Sequence, residues 1–181
     1  MSQHPAAVAV EGHDETASGS VDTGRWAAVA ADTLLAEGID DGRLDVIFVD
    51  AEAMAELNRE HMGHEGPTDV LSFPIDGPDA ANAEGVDASR AADAVAAEPL
   101  DGMERHLGDV VVCPEVAERQ APEHAGSVEA ELTLLIVHGV LHVLGHDHAL
   151  HGERVEMQAR ERLHLARYGI EHPVPAPEGA S

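Results

Sequence analysis

The chain has 181 residues, of which 35 are acidic and only 10 basic, for a formal net charge of −25, and every basic residue is arginine. That balance argues against nonspecific adhesion to nucleic acid or membranes and counts against a nucleic-acid function, while leaving room for a local basic or metal-bearing groove. The length suits one domain with its own core, built from aliphatic side chains because aromatics make up only 2%. Cys113 is the single cysteine, which excludes a disulfide framework and a cysteine-based zinc finger. The opening MSQHPAAVAVEGHDETASGS lacks the basic start and apolar stretch of a secretory signal. No run approaches the ~20 apolar residues of a membrane span, so a cytoplasmic protein is expected.

In chain order, residues 6–12 suit a short first strand. Residues 21–37 carry Trp26, Val29, Ala30 and Leu34 at helical spacing, with Gly38 as a stop. RLDVIFVD (43–50) predicts a buried strand, and AEAMAELNREHMG (51–63) a helix with Met54, Leu57 and Met62 on one side. GPTDVLSFP (66–74) reads as a strand bounded by prolines. Residues 76–105 are rich in Ala, Asp and Gly and nearly devoid of large apolar groups, which predicts a disordered acidic insertion.

LGDVVVCP (107–114) is continuous enough in valine to be a central strand, with Cys113 as a core residue of it. Pro114 suits the first turn of a helix running to about Glu123, which Pro122 limits. Residues 127–145 open with Ser127 and nearby Glu129 and Glu131, an imperfect capping box, and have an almost wholly apolar body, so this helix is central. Residues 151–169 form a final amphipathic helix, and 171–181 a mobile tail. Strands interleaved with helices predict a single small α/β layered domain over 1–170, with mixed strand directions.

The central helix carries the chemistry. VHGVLHVLGHDH (137–148) sets four of the chain's 13 histidines in an apolar run, where groups that are costly to bury need a partner. His138 and His142 lie one helical turn apart and project from one face. Gly145 permits the backbone to end the helix and turn back, which lets His148 supply a third nitrogen. Three histidines leave a tetrahedral position open, the mark of a catalytic site; zinc is the first candidate, and imidazole also suits iron, copper or nickel.

His138, His142, Gly145 and His148 match the metzincin protease pattern His-Glu-x-x-His-x-x-Gly-x-x-His except at one place. Gly139 stands where the protease general base belongs, and glycine cannot accept a proton. His-Gly-x-Leu-His-x-x-Gly-His/Tyr-Asp-His instead resembles the signature of the YbeY family of endoribonucleases. GPTDVLSFP and LGDVVVCPEV (107–116) resemble two further stretches of that family, in the same order, so the resemblance covers about 43–169.

The resemblance implies a mostly parallel, mixed four-stranded sheet with the metal helix beneath it. It implies one Zn2+ per chain on His138, His142 and His148, and single-strand-specific cleavage of RNA. The role implied is maturation of the small-subunit ribosomal RNA 3′ end and ribosome quality control, with the ribosome or one of its small-subunit proteins as partner and neither DNA nor membrane. His146 stands where relatives often have tyrosine. Asp147 suits either an acceptor that orients a ligand imidazole or a helix cap. Asp69 and Asp109 match family positions and equally suit turn or fold carboxylates. Relatives carry an arginine where this chain has Met62, and Arg59, one turn earlier, is the candidate to take over its phosphate contact. Two other readings stay open: a non-catalytic ribosome-assembly factor with structural zinc, and a protease-like metallohydrolase, which Gly139 disfavours.

Overall fold

The computed structural model describes residues 8–75, 105–147 and 149–174. Strand β1 (Val8–Asp14) leads through helix α1 (Thr23–Ala36) to β2 (Gly42–Phe48), and α2 (Ala51–Met62) leads on to β3 (Val70–Pro74). Then come β4 (His106–Val112), α3 (Pro114–Gln120), a 3-10 turn at Ala121–Glu123, α4 (Val128–Val143) and α5 (His151–Ala166). The four strands form one sheet in the order β1-β2-β4-β3, parallel except for β3, which runs antiparallel to β4 at the edge. The α/β class, the four strands and the mixed directions all agree with the sequence reading.

Alternation along the strands sorts side chains to two faces. Leu44, Val46, Phe48, Val110 and Val112 turn inward against Trp26 and Leu34 of α1 and Ile136, Val140 and Leu141 of α4. On the other face, Val111 and Leu71 pack with Met54 of α2, Cys113 and Val116 of α3. Cys113 is fully buried there, a core residue as its sequence context predicts.

Helix α4 is buried over nearly its whole length. Ser127 caps it by accepting the Ala130 N–H at 3.1 Å. Glu131 does not close the other half of a capping box; it is buried and accepts from His124 Nδ1 at 2.9 Å and the Ala125 N–H at 3.1 Å. At the far end Gly145 adopts φ 91°, and the His146 N–H reaches back to the Leu141 carbonyl at 3.0 Å. This left-handed stop turns the chain as the sequence predicts.

Two boundaries differ from expectation. The strand expected over 66–74 begins only at Val70, because the preceding residues form a turn. There Asn58 Nδ2 donates to the Gly66 carbonyl at 2.8 Å, and Asp69 Oδ1 accepts the Val70 N–H, also at 2.8 Å. The tail expected to be mobile from 171 is anchored at its start, since His172 Nε2 donates to Glu161 Oε2 at 2.7 Å. Residues 76–104 of the expected insertion, the end of the tail from 175, and His148 lie outside the described residues. No single helix among the described residues is long and apolar enough to cross a membrane.

Candidate functional site

His138 and His142 project from one side of α4, their ring centroids 4.5 Å apart and nearly perpendicular at 78°. They open on a cleft of about 470 Å³ that Met62, Thr68, Ser72 and Pro74 also line. Beside the cleft, α4 lies hard against the sheet at Gly139. A Cβ there would meet Val110 Cγ1 at 2.5 Å, and Ser72 Oγ donates to the Gly139 carbonyl at 3.1 Å. Gly139 is thus required by packing as well as being chemically silent.

Behind His138 stands a carboxylate that sequence reasoning missed. Glu161 of α5 is 4% exposed, and its Oε1 lies 2.6 Å from His138 Nδ1. Its other oxygen accepts from His172, whose Nδ1 in turn accepts the Val174 N–H at 3.0 Å. Burial by itself would raise the Glu161 carboxyl, but the hydrogen bonds from His138 and His172 overcome this and hold it at about 2. The charged oxygen therefore fixes the His138 tautomer: the ring donates at Nδ1 and carries its lone pair at Nε2. A carboxylate behind a histidine is the usual support of a metal-ligating imidazole, and this donor set fits zinc. The signal was present in the sequence, because Glu161 interrupts the buried stripe of Met157 and Leu165 on α5.

The remaining candidates fall in several places. Arg59 is exposed on α2, while Met62, one turn on, lines the cleft itself. Asp69 lines the cleft from the turn before β3. Asp147 is exposed just past the Gly145 turn. His146 lies 3.7 Å from Glu37, which also binds Arg160 and His164 of α5. Burial first, and Arg160 second, pull the His146 ring below its ordinary value.

Asp109 sits away from the cleft, on the outer face of the sheet. There Asp45, His106 and Asp109 bring ligand atoms within 4.8 Å of one another, a group that could hold a metal ion. Arg43 already lies 3.0 Å from Asp45 Oδ1, so this carboxylate has a cation of its own.

A mixed four-stranded sheet backed by one buried helix, with two imidazoles of that helix opening on a cleft, defines a small α/β protein of the histidine-helix kind. The family model described as Endoribonuclease YbeY matches residues 13–169. An Endoribonuclease YbeY of Salinispora tropica is 45% identical over 149 residues, covering 82% of this chain and 88% of that protein. Another from Staphylococcus carnosus is 37% identical over 131 residues, covering 72% and 75% respectively. The solution structure of a Thermotoga maritima protein shares the fold, with a TM-score of 0.52 and 21% identity over 95% of this chain and 99% of that one. The chain belongs to the YbeY endoribonuclease family.

Proposed function

We propose that the protein is a zinc-dependent endoribonuclease that cuts single-stranded RNA and matures the 3′ end of small-subunit ribosomal RNA in the cytoplasm. The observation that supports it most is the pairing of His138 and His142 on one face of α4, with buried Glu161 on His138 Nδ1. In this reading His138, His142 and His148 hold one Zn2+. Bound there, the ion supplies the Lewis acidity that phosphodiester cleavage needs.

The chain's own residues do the rest. Glu161 keeps the His138 Nε2 lone pair aimed outward, and Asp147 orients a second ligand imidazole. Arg59 contacts a phosphate beyond Met62. With a net charge of −25, docking on the ribosome or a small-subunit protein supplies the encounter that long-range attraction cannot.

The test is cleavage of a labelled single-stranded fragment of the ribosomal RNA 3′ region by zinc-loaded protein, beside His142→Ala prepared identically. Loss of cleavage by at least a thousandfold in the variant and in chelator is expected. Equal cleavage by both proteins would remove the nuclease reading. Tight zinc with no cleavage by either would leave the assembly-factor reading in its place.

A further inference from the structure

On the other side of His138 lies a second hollow, of about 280 Å³, between α4, α5 and the anchored start of the tail. It and the metal cleft share Asp69, Val70 and His138 as a common wall. Leu134, Met157 and Pro173 give it an apolar floor, and three polar side chains reach it from α5: half-buried Gln158, exposed Arg154 and the buried Glu161, whose two oxygens are taken by His138 and His172. Its tail side is pinned at two points, by His172 on Glu161 and by Arg162, which donates to the Val174 carbonyl at 2.9 Å.

The arginines say what the hollow takes. Seven of the nine among the described residues are engaged within the chain, as Arg25 is by Glu129 and Arg160 by Glu37 and Glu156. Arg59 and Arg154 alone among the described residues have no such partner. In a chain with 35 carboxylates, partners are abundant, so a cation left without one beside a hollow is poised for an outside anion. One of the two stands on the helix that walls the cleft, and the other in the wall of the second hollow. The two carboxylates of the recess are engaged internally, Asp69 by the Val70 N–H and Glu161 by His138 and His172, which leaves the Gln158 amide and the Arg154 guanidinium to meet a flat heterocycle bearing a phosphate. Single-stranded RNA is read in this way, by unstacked bases in pockets and cations on phosphates.

We propose that this hollow is a nucleotide subsite, which takes one unstacked base of the RNA strand against Met157 and Pro173 while Arg154 binds its phosphate. Gln158 offers both a donor and an acceptor to the edge of that base. The subsite rests on the ribonuclease reading and sets which nucleotide stands beside the cut. Through Glu161 the same carboxylate supports His138 and, by way of His172, the wall of the subsite.

Binding of a short fluorescein-labelled single-stranded RNA to His142→Ala protein, followed by anisotropy at several salt concentrations, separates the two readings. Adding Arg154→Ala should weaken binding about fivefold and reduce the slope against log salt by about 0.7, one phosphate contact. Arg119→Ala removes the same charge from α3, lines neither hollow, and should do neither. Replacing each base in turn by an abasic unit should reveal one position that matters to the parent but not once Gln158→Ala is added. Thermal melts alongside check that the variants are folded, which the exposure of Arg154 and the half-exposed place of Gln158 favour. Equal effects of Arg154→Ala and Arg119→Ala, or an abasic profile that Gln158→Ala leaves intact, would overturn the subsite while cleavage by the unmutated protein stands. Failure of the parent to bind RNA at all would overturn the subsite and the ribonuclease reading together.

Discussion

Gly139 shows how one missing side chain can serve packing and chemistry together. Glycine inside a helix costs about 1 kcal/mol relative to alanine, so its presence in α4 needs a reason. The reason is Val110, fully buried on β4, whose Cγ1 would stand 2.5 Å from an added Cβ, with Ser72 Oγ at 3.3 Å. Gly139→Ala is therefore expected to destabilise by about 2 kcal/mol despite the better helix propensity. Urea unfolding should show a lower midpoint at unchanged slope. A higher midpoint would mean that propensity wins and the contact with β4 is loose. The same contact explains why the protease glutamate has no room here.

Among the elements, the outer face of the sheet holds its own electrostatic unit across three strands. Asp45 of β2 is 6% exposed, and His13 of β1 lies 2.8 Å from it, Arg43 3.0 Å, and His106 of β4 3.0 Å. Burial pushes its carboxyl up, but hydrogen bonds from Arg43 and His13 outweigh this and leave it below the ordinary value. The folded protein then binds fewer protons than the unfolded chain. The stabilisation from Asp45 is thus fully present above the unfolded value near 3.9 and is lost as pH falls through the lower folded value. Asp45→Asn is expected to cost about 2 kcal/mol at neutral pH. Denaturant melts of the two proteins should converge only below about pH 4; a gap that stays constant down to pH 3 would exclude a carboxylate role.

At the scale of the whole molecule, His138 joins α4 to α5 and, through Glu161 and His172, to the tail, so metal binding as proposed would be coupled to folding. Zinc at one hundred times its dissociation constant should stabilise the protein by about 2.7 kcal/mol. Calorimetry should show the melting temperature rising with zinc, and His142→Ala should abolish the rise. An unchanged melting temperature in the unmutated protein would separate the site from the stability of the fold. The excess of acid also leaves its mark at this scale: most described arginines are spent on internal partners, so the surface that meets RNA depends on very few cations.

What the sequence by itself determined was set by local spacing. Valine-rich runs specified the strands, a four-residue interval put His138 and His142 on one face, and Gly145 with φ 91° ended the helix where a glycine was expected. The interleaving of strands and helices also announced an α/β layer with mixed directions, but not which strand is reversed, because β3 follows a helix as β2 does and still runs antiparallel to β4 at the edge. Tertiary structure alone decided which groups stand behind those histidines. Glu161 is 23 residues beyond His138 and His172 further still, and their hydrogen bonds form only when α5 folds back across α4. Asp109 is the converse case: its motif matched, but the pleat of β4 sends it to the outer face, with Asp45 and His106. Spacing fixes the side of one element; a partner on another element is chosen by how the layers close over one another, which no interval along the chain records.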